Sequence, residues 1–281
     1  MIKFYHRCCY SPVISTWKAA IRKSLFATWP GLICATVDKY LDKIIATVKG
    51  HLRQVQQSVR STQPPLVDED HPHMEMKTKE TYVKTKPVGT VYTDQTRKFP
   101  YVSSNASKYI MIMYDYDCNT IMSTPLRPKA CLEQLSSLKK LHDNLRKQGQ
   151  DTTVNFMDNE APKCVTNYLV DSKISYQLVP PHVHRRNAAE RAISTWKDHL
   201  ISGLCTTDPS FPMHLWDRLL PQCDMTLNMM QTSRINLSLS AYHQLHGQYN
   251  YDATTMIPPG TKVVMHEKPK QRGSWDIHGE D

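Results

Sequence analysis

YIMIMYDYDCNTIMSTPL, residues 109–126, consists of two runs rich in Ile, Met, Tyr and Thr on either side of a short polar stretch. β-Branched and aromatic residues favour the half-buried surface of a sheet, and the Asp-Cys-Asn between the runs is typical of a turn. Residues 109–116 and 119–126 are therefore predicted to be two antiparallel strands. GTVYTDQ, residues 89–95, has a similar composition and predicts a strand before them.

The chain beyond this hairpin alternates helical and extended patterns. One side of a helix predicted for residues 129–148 carries Leu132, Leu135, Leu138, Leu141 and Leu145. The further predicted elements are a strand at 152–157, a helix at 161–173, a strand at 175–179 and a long helix from about Arg186 with Ala189, Ile193, Trp196 and Leu200 as its buried stripe. The order βββαβαβα predicts an α/β protein with a mixed five-stranded sheet flanked by helices, the RNase H-like fold.

The first 60 residues are predicted to be helical and basic. Apolar residues recur at steps of three and four from Val37 to Val59, which predicts an amphipathic helix over residues 36–60. A shorter helix is predicted from about Ser15 to Thr28, and we expect the two to pair as a helical hairpin. Residues 1–62 carry +8 of the net charge of +9, which fits either an anionic partner such as nucleic acid or a solvated helix face.

Composition divides the chain into five predicted parts. They are a basic helical region at 1–60, a linker rich in Pro and polar residues at 61–87, a core at 88–207, a helical extension at 208–250 and an incomplete β region at 251–281. Pro221 is expected to break a helix predicted for residues 213–234. The strand predicted for residues 261–266 is expected to have its partner strands outside this chain.

Three acidic residues, Asp94, Asp158 and Glu190, are the candidate catalytic and metal-binding residues. In a sheet of this order the first and fourth strands are neighbours, so the two aspartates are expected side by side, with Glu190 brought to them by the last helix. Carboxylate clusters bind hard cations such as Mg²⁺, which can clamp the attacking and leaving oxygens of a phosphodiester. The alternative for Glu190 is a surface ion pair with Arg186.

Other acidic residues are weaker candidates for the same site. Asp115 and Asp117 end the second predicted strand, so we expect them to have a structural role in the turn. Glu160 is expected to be a charge at the start of a helix rather than an auxiliary ligand.

The eight cysteines contain no C-x-x-C pair and no regular spacing, so we expect reduced thiols and no structural zinc. No stretch reaches the ~18 apolar residues that span a bilayer, and the N-terminus lacks the apolar region of a secretory signal. The chain is therefore expected in the cytoplasm and nucleus, not secreted and without a membrane partner.

Five stretches carry a family resemblance: YTDQTRKFPYVSSNASKYIMIMYDYD, MDNEA, QLVPPHVHRRNAAERAISTWKDHLISGLC, HLWDRLLPQ and PPGTKVVMHEKP. They are similar to the integrase region of copia-type LTR retrotransposon polyproteins, and the resemblance covers nearly the whole chain. It implies a DDE-type integrase in which Asp94, Asp158 and Glu190 bind Mg²⁺ or Mn²⁺. The implied partners are DNA, both the ends of the element and the target, and further copies of the chain in a homo-oligomer. The implied reactions are 3′-end processing and strand transfer.

The resemblance also suggests which residues contact DNA. Lys197 matches a position where integrases commonly place a DNA-contacting lysine, and Arg185, Arg186 and Lys197 are the predicted phosphate contacts, with plain solvated charges as the alternative. Two other functions stay open: a non-catalytic nucleic-acid-binding relic of an integrase in a degraded element, and an RNase H-type nuclease that cuts RNA in hybrids. The fold does not decide among them.

Overall fold

The computed structural model describes residues 1–42, 44–52, 88–127, 131–158, 161–179, 188–263, 265–266 and 279–280. The helices in these ranges are α1 (Ile2–Cys8), α2 (Ile14–Arg22), α3 (Cys34–Tyr40), α4 (Ile45–His51), α5 (Cys131–Lys147), α6 (Lys163–Asp171), α7 (Ala188–Leu204), a 3-10 helix (Met213–Leu219), α8 (Leu220–Met230) and α9 (Ala241–His246). The strands are β1 (Thr90–Gln95), β2 (Tyr109–Asp115), β3 (Thr120–Leu126), β4 (Val154–Asp158), β5 (Ser175–Val179), β6 (Met265–His266) and β7 (Gly279–Glu280). In the described part of the chain, no helix is both long and apolar enough to cross a membrane.

Five strands form one mixed sheet in the order β3-β2-β1-β4-β5. β2 is antiparallel to both β1 and β3, whereas β4 is parallel to both β1 and β5. The connections that lead into β4 and β5 contain α5 and α6, because parallel strands need a long crossover. This topology confirms the predicted α/β RNase H-like architecture.

Alternation along the strands gives each face of the sheet its own core. On one face, Tyr92 and Ile112 pack with Trp196 of α7, whose side chain is fully buried. On the other face, Val91 packs with Leu138 of α5. Burying a large apolar side chain contributes about 1.5–3 kcal/mol relative to leaving it exposed, so both helices are held firmly on the sheet.

The N-terminal region is helical, as predicted, but it consists of four short helices in the described residues rather than a hairpin of two. The helix predicted for residues 36–60 ends at Tyr40, because Leu41 is extended (φ −110°, ψ 104°) and directs its side chain into a separate core. A new helix, α4, begins at Ile45. Residues 53–60 of that prediction lie outside the described residues.

The N-terminal region packs directly against the second half of α7. Tyr10 lies over Gly203, and its hydroxyl donates a hydrogen bond to the carbonyl of Leu219 at 2.7 Å. Ser202 Oγ donates to the carbonyl of Ser11, also at 2.7 Å. The N-terminal helices and the sheet therefore share α7 as a common support.

Two predictions about the C-terminal third have different outcomes. Pro221 does interrupt the predicted helix: it lies in the first turn of α8, directly after the 3-10 helix, where its missing N–H is not needed. The strand predicted for residues 261–266 is reduced to Met265–His266, and its partner, Gly279–Glu280, lies in this chain. The expectation that its partner strands lie outside the chain was therefore wrong.

Cys131 and Cys164 form a disulfide, which corrects the expectation that all eight cysteines are reduced thiols. The two residues are 33 positions apart in the sequence, but they lie at the adjacent ends of α5 and α6 with their Cα atoms 6.3 Å apart. That separation falls in the range disulfides require, and only the packing of the two helices creates it. The other six cysteines are free.

Candidate active site

Asp94 and Asp158 lie at the same edge of the sheet, on neighbouring parallel strands. β1 and β4 pair in the register Thr90 with Val154, Val91 with Asn155 and Tyr92 with Phe156. Two residues further along each strand, Asp94 and Asp158 occupy equivalent positions and point to the same side, since side chains alternate with a period of two. Neighbouring strands are about 4.8 Å apart, so one cation can reach both carboxylates.

The residues just before the two acids lock these strands together. The rings of Tyr92 and Phe156 stack with centroids 4.8 Å apart, and Thr93 Oγ1 donates to Asn155 Oδ1 at 3.0 Å. A stacked aromatic pair contributes about 0.5–1.5 kcal/mol beyond the burial of its area. The acids therefore project from a rigid part of the sheet rather than from loops.

A cavity of about 160 Å³ opens beside the two acids. It is lined by Thr93, Asp94, Gln95, Met111, Met157 and Asp158 from the sheet, by Gln134 and Leu138 from α5, and by Ala161, Pro162 and Val165 from α6 and the residues before it. Asp94 is half-buried and accepts a hydrogen bond from the backbone N–H of Gln95 at 2.6 Å, whereas Asp158 is exposed. The acids thus lie at the rim of a recess whose walls are both polar and apolar.

Glu190 lies in the first turn of α7, as predicted, and is half-buried. α7 packs on β1 and β2 from the face to which Asp94 and Asp158 point, with Ala192 and Trp196 buried beneath it. Glu190 does not line the cavity, because α5 and α6 wall the cavity on the other face of the sheet. In the described part of the chain, no three His, Cys, Asp or Glu residues are grouped so that they could hold a metal ion. The structure thus brings two of the three acids together.

α7 is held in place by a buried carboxylate that the sequence analysis did not single out. Trp196 Nε1 donates to Asp224 Oδ1 at 2.7 Å, and Asp224 also accepts from the N–H of Ser123 at 2.7 Å. One turn further along α8, Asn228 pairs with both the N–H and the carbonyl of Ile121. These side chains close the outer edge of β3 and tie it to α7. The sequence feature that could have identified Asp224 is its position, as an acidic residue, in the apolar stripe of a predicted helix.

Asp224 is expected to make stability depend on pH. Burial raises the pKa of this carboxyl to about 7, although the hydrogen bonds from Trp196 and Ser123 act in the opposite direction. Between about pH 4 and pH 7 the folded state therefore keeps a proton that the unfolded state has released, so this group lowers the free energy of unfolding as pH rises through that window.

Replacing Asp224 with Asn removes this contribution. We compare the change in the free energy of unfolding from about pH 5 to about pH 7.5 in the two proteins. We expect this change to be more negative in the unsubstituted chain than in Asp224→Asn. The comparison isolates Asp224, because His142 and His199, whose pKa values burial lowers to about 4 and about 3, act in the opposite direction in both proteins. Urea unfolding at both pH values measures the effect, and identical pH dependences in the two proteins would contradict it.

The other residues considered in the sequence analysis have simpler positions. Lys197 lies on α7 two turns after Glu190 and is half-buried, whereas Arg185, Arg186 and Glu160 lie outside the described residues. The structural role predicted for Asp115 and Asp117 is confirmed. Asp115 accepts from the N–H of Cys118 at 2.9 Å, and Asp117 accepts from the N–H of Gly89 at 2.6 Å, so both carboxylates stabilise the turns at this end of the sheet.

The donor set of the acid pair fits a magnesium ion. Mg²⁺ prefers oxygen ligands and is usually bound through one or two carboxylates, with waters and substrate phosphates completing its shell. Asp94 and Asp158 supply two such carboxylates from neighbouring strands, beside an accessible recess. These two carboxylates would hold the ion, and Glu190 would add a ligand only from the helix above.

Comparison with known proteins gives structural matches only. No protein-family model matches the chain, and no curated protein is significantly similar in sequence. One chain of the simian T-cell lymphotropic virus intasome, in complex with PP2A regulatory subunit B56 gamma, is 16% identical with a TM-score of 0.46, over 70% of this chain and 66% of that one. The HTLV-2 integrase catalytic core domain in complex with magnesium is 14% identical with a TM-score of 0.43, over 57% of this chain and 97% of that one. The BIV integrase catalytic core domain is 14% identical with a TM-score of 0.40, over 57% and 94%.

This similarity concerns the fold. The match spans just under two thirds of the intasome chain. At these identities and TM-scores, the superpositions assign no activity and no residue role to this chain, and the copia-type resemblance stays a prediction. What the geometry itself offers is a pair of carboxylates on rigid strands, beside a helix that carries a third acid and a lysine.

Proposed function

We propose that this chain is an integrase-type enzyme that processes and joins DNA ends with the help of Mg²⁺. The observation that carries the proposal is the equivalent placement of Asp94 and Asp158 at the ends of adjacent parallel strands, on the rim of an accessible cavity. Two carboxylates in this position repel each other, and a divalent cation between them relieves that repulsion. They are also exposed enough for a nucleic-acid backbone to approach them.

Each candidate residue has a separate role in this proposal. Asp94 and Asp158 hold the metal, and Glu190 approaches from the first turn of α7 to complete the site. When bound, Mg²⁺ supplies Lewis-acid stabilisation of the charge that develops on the phosphodiester oxygens. Lys197 lies on the same side of α7 as Glu190, so it can pair with a DNA phosphate and orient the strand. Arg185 and Arg186 are proposed to contribute further phosphate contacts.

We also propose the wider setting that the resemblance implies. The partners are the element's cDNA ends, the target DNA and further copies of the chain in a homo-oligomer, and the site of action is the nucleus. Residues 88–207 form the catalytic core in this proposal, with 1–60, 208–250 and 251–281 as appended regions and 61–87 as a linker.

A DNA-joining assay with the full chain tests this proposal. A labelled blunt oligonucleotide is incubated with plasmid DNA and Mn²⁺ or Mg²⁺, and joined product is expected. Glu190→Gln is expected to reduce joining by about 10²-fold or more, because it removes a charge that completes the metal site acting on the reacting phosphate. Glu133→Gln is the matched control, since Glu133 also lies in the first turn of its helix and its loss has the same effect on the helix dipole.

The same assay separates the two alternatives. The non-catalytic relic is favoured by one observation, namely that Glu190 is not grouped with the two aspartates in the described residues. DNA binding without joining, unchanged in Glu190→Gln, would establish that alternative. Cleavage of an RNA–DNA hybrid in preference to joining would establish an RNase H-type nuclease instead.

A further inference from the structure

The disulfide between Cys131 and Cys164 connects the two helices that wall the cavity at the acid pair. Cys131 is the first residue of α5 and Cys164 the second residue of α6. Gln134 and Leu138, one and two turns after Cys131, line the cavity from one side, and Val165 lines it from the other. The covalent bond is therefore placed at the point where a change in helix separation would alter the cavity most.

Asp158 lies in the loop of chain that this disulfide closes. The 32 residues between the two cysteines contain the rest of α5 and all of β4, including Asp158, which lies six residues before Cys164. A cross-link at the ends of this segment restricts the chain that follows Asp158. The sheet holds Asp158 itself, whereas the disulfide holds the segment that leads from Asp158 into α6.

A second contact between α5 and α6 is not covalent and lies further from the cavity. His142 Nδ1 and the hydroxyl of Tyr168 are 3.3 Å apart, and their rings stack with centroids 5.9 Å apart. Lys139 Nζ lies 5.1 Å from the centre of the same tyrosine ring. Reduction of the disulfide therefore leaves this end of the helix pair packed and releases only the end beside the acids.

The cysteine pair is accessible to small redox reagents, as are two free thiols, the half-exposed Cys34 and the exposed Cys205. Both Cys131 and Cys164 are half-exposed. By contrast, Cys8, Cys9, Cys118 and Cys223 are buried, and burial raises the pKa of each of these thiols, that of Cys8 to about 12. Because the thiolate is the reactive form, these four do not exchange with disulfides at neutral pH.

We propose that Cys131 and Cys164 form a reversible thiol–disulfide modification site that controls the walls of the cavity beside the acid pair. A low-molecular-weight disulfide such as oxidised glutathione accepts two electrons and two protons from the two thiols, so that the protein disulfide and two molecules of reduced glutathione are formed. Reduction by a dithiol reverses the step. The oxidised state holds the first turns of α5 and α6 together and restrains the segment that follows Asp158; the reduced state loosens both. Its effect on DNA joining rests on the proposed function, but the structural effect does not.

Hydrogen exchange on the full chain tests the structural effect without reference to activity. The protein is equilibrated with oxidised or reduced glutathione, and alkylation with mass spectrometry reports the state of each cysteine. Reduction is expected to speed exchange about fivefold or more in the first turns of α5 and α6, and to leave the segment around His142 and Tyr168 unchanged. Cys131→Ser and Cys164→Ser are expected to behave as the reduced protein under both conditions. Cys205→Ser, which removes an exposed free thiol, is expected to keep the full redox response.

The outcomes are distinct for the two proposals. Equal exchange in oxidised and reduced protein, or a pair that stays alkylatable under oxidised glutathione, overturns the modification site even if DNA joining is active. Redox-dependent exchange in a chain that joins no DNA supports the modification site and counts against the proposed function. If the chain does join DNA, the rate is expected to decrease about fivefold or more on reduction, and in Cys164→Ser under either condition.

Discussion

Asp94→Asn is expected to abolish DNA joining, with a loss of about 10²- to 10³-fold or more, and to weaken Mn²⁺ binding in parallel. The substitution keeps the size of the side chain and removes its negative charge. Since Asp94 and Asp158 lie at equivalent positions on β1 and β4, the remaining carboxylate is left to hold the cation alone. Calorimetric titration with Mn²⁺ and the joining assay measure the two effects on the same protein preparation.

The pair is expected to behave as one unit. Asp158→Asn alone should cost about as much activity as Asp94→Asn, and the double variant little more, because residues that act on the same group are not additive. Asp171→Asn is the control, since Asp171 is exposed at the end of α6 and away from the cavity. Full joining activity in Asp94→Asn, or losses that simply multiply in the double variant, would contradict a shared metal site.

Gly203→Ala is expected to lower the free energy of unfolding by about 1–3 kcal/mol, the usual cost of forcing an extra group into a packed core. A Cβ at this position would lie 1.8 Å from Cδ1 of Tyr10. The ring cannot move aside easily, because it is buried, stacks on His199 and donates its hydroxyl to the carbonyl of Leu219. The N-terminal region must then shift away from α7.

A double-mutant cycle isolates this steric cause. In a Tyr10→Ala background the added methyl group meets free space, so Gly203→Ala should cost much less there than in the unsubstituted chain. Urea unfolding of the four proteins gives the coupling energy. A cost that is the same in both backgrounds would mean that the contact with Tyr10 does not set the effect.

The strands and the first helix of the core could be predicted because the apolar periodicity of each one matches the faces that it buries. The side chains of residues 109–126 point alternately to the two faces of the sheet, both of which are buried. Five such strands can be arranged in a sheet in only a few orders. Once β1 and β4 are neighbours, the equal offsets of Asp94 and Asp158 from the strand starts place them together. The prediction that Glu190 joins the two aspartates depends on the distance between α7 and the sheet. The local sequence pattern does not determine that distance.

Other features depend on tertiary packing and could not be predicted from local pattern. The apolar period from Val37 to Val59 fits one long helix, but Leu41 gains more by entering the N-terminal core than by continuing the helix. Asp224 stands in the apolar stripe of a predicted helix, but its partners Trp196 and Ser123 are known only from the packing. These misses share a cause, namely that the partner residues are distant in the sequence.

The central claim is that Asp94 and Asp158 hold one divalent cation between them. Anomalous diffraction from crystals of the full chain soaked in Mn²⁺ measures this directly, because the signal locates the metal independently of the protein. We predict one strong peak within coordination distance of both carboxylates, and no such peak in Asp94→Asn crystals soaked in the same way. A peak that contacts neither aspartate, or one that is unchanged in Asp94→Asn, would contradict the claim.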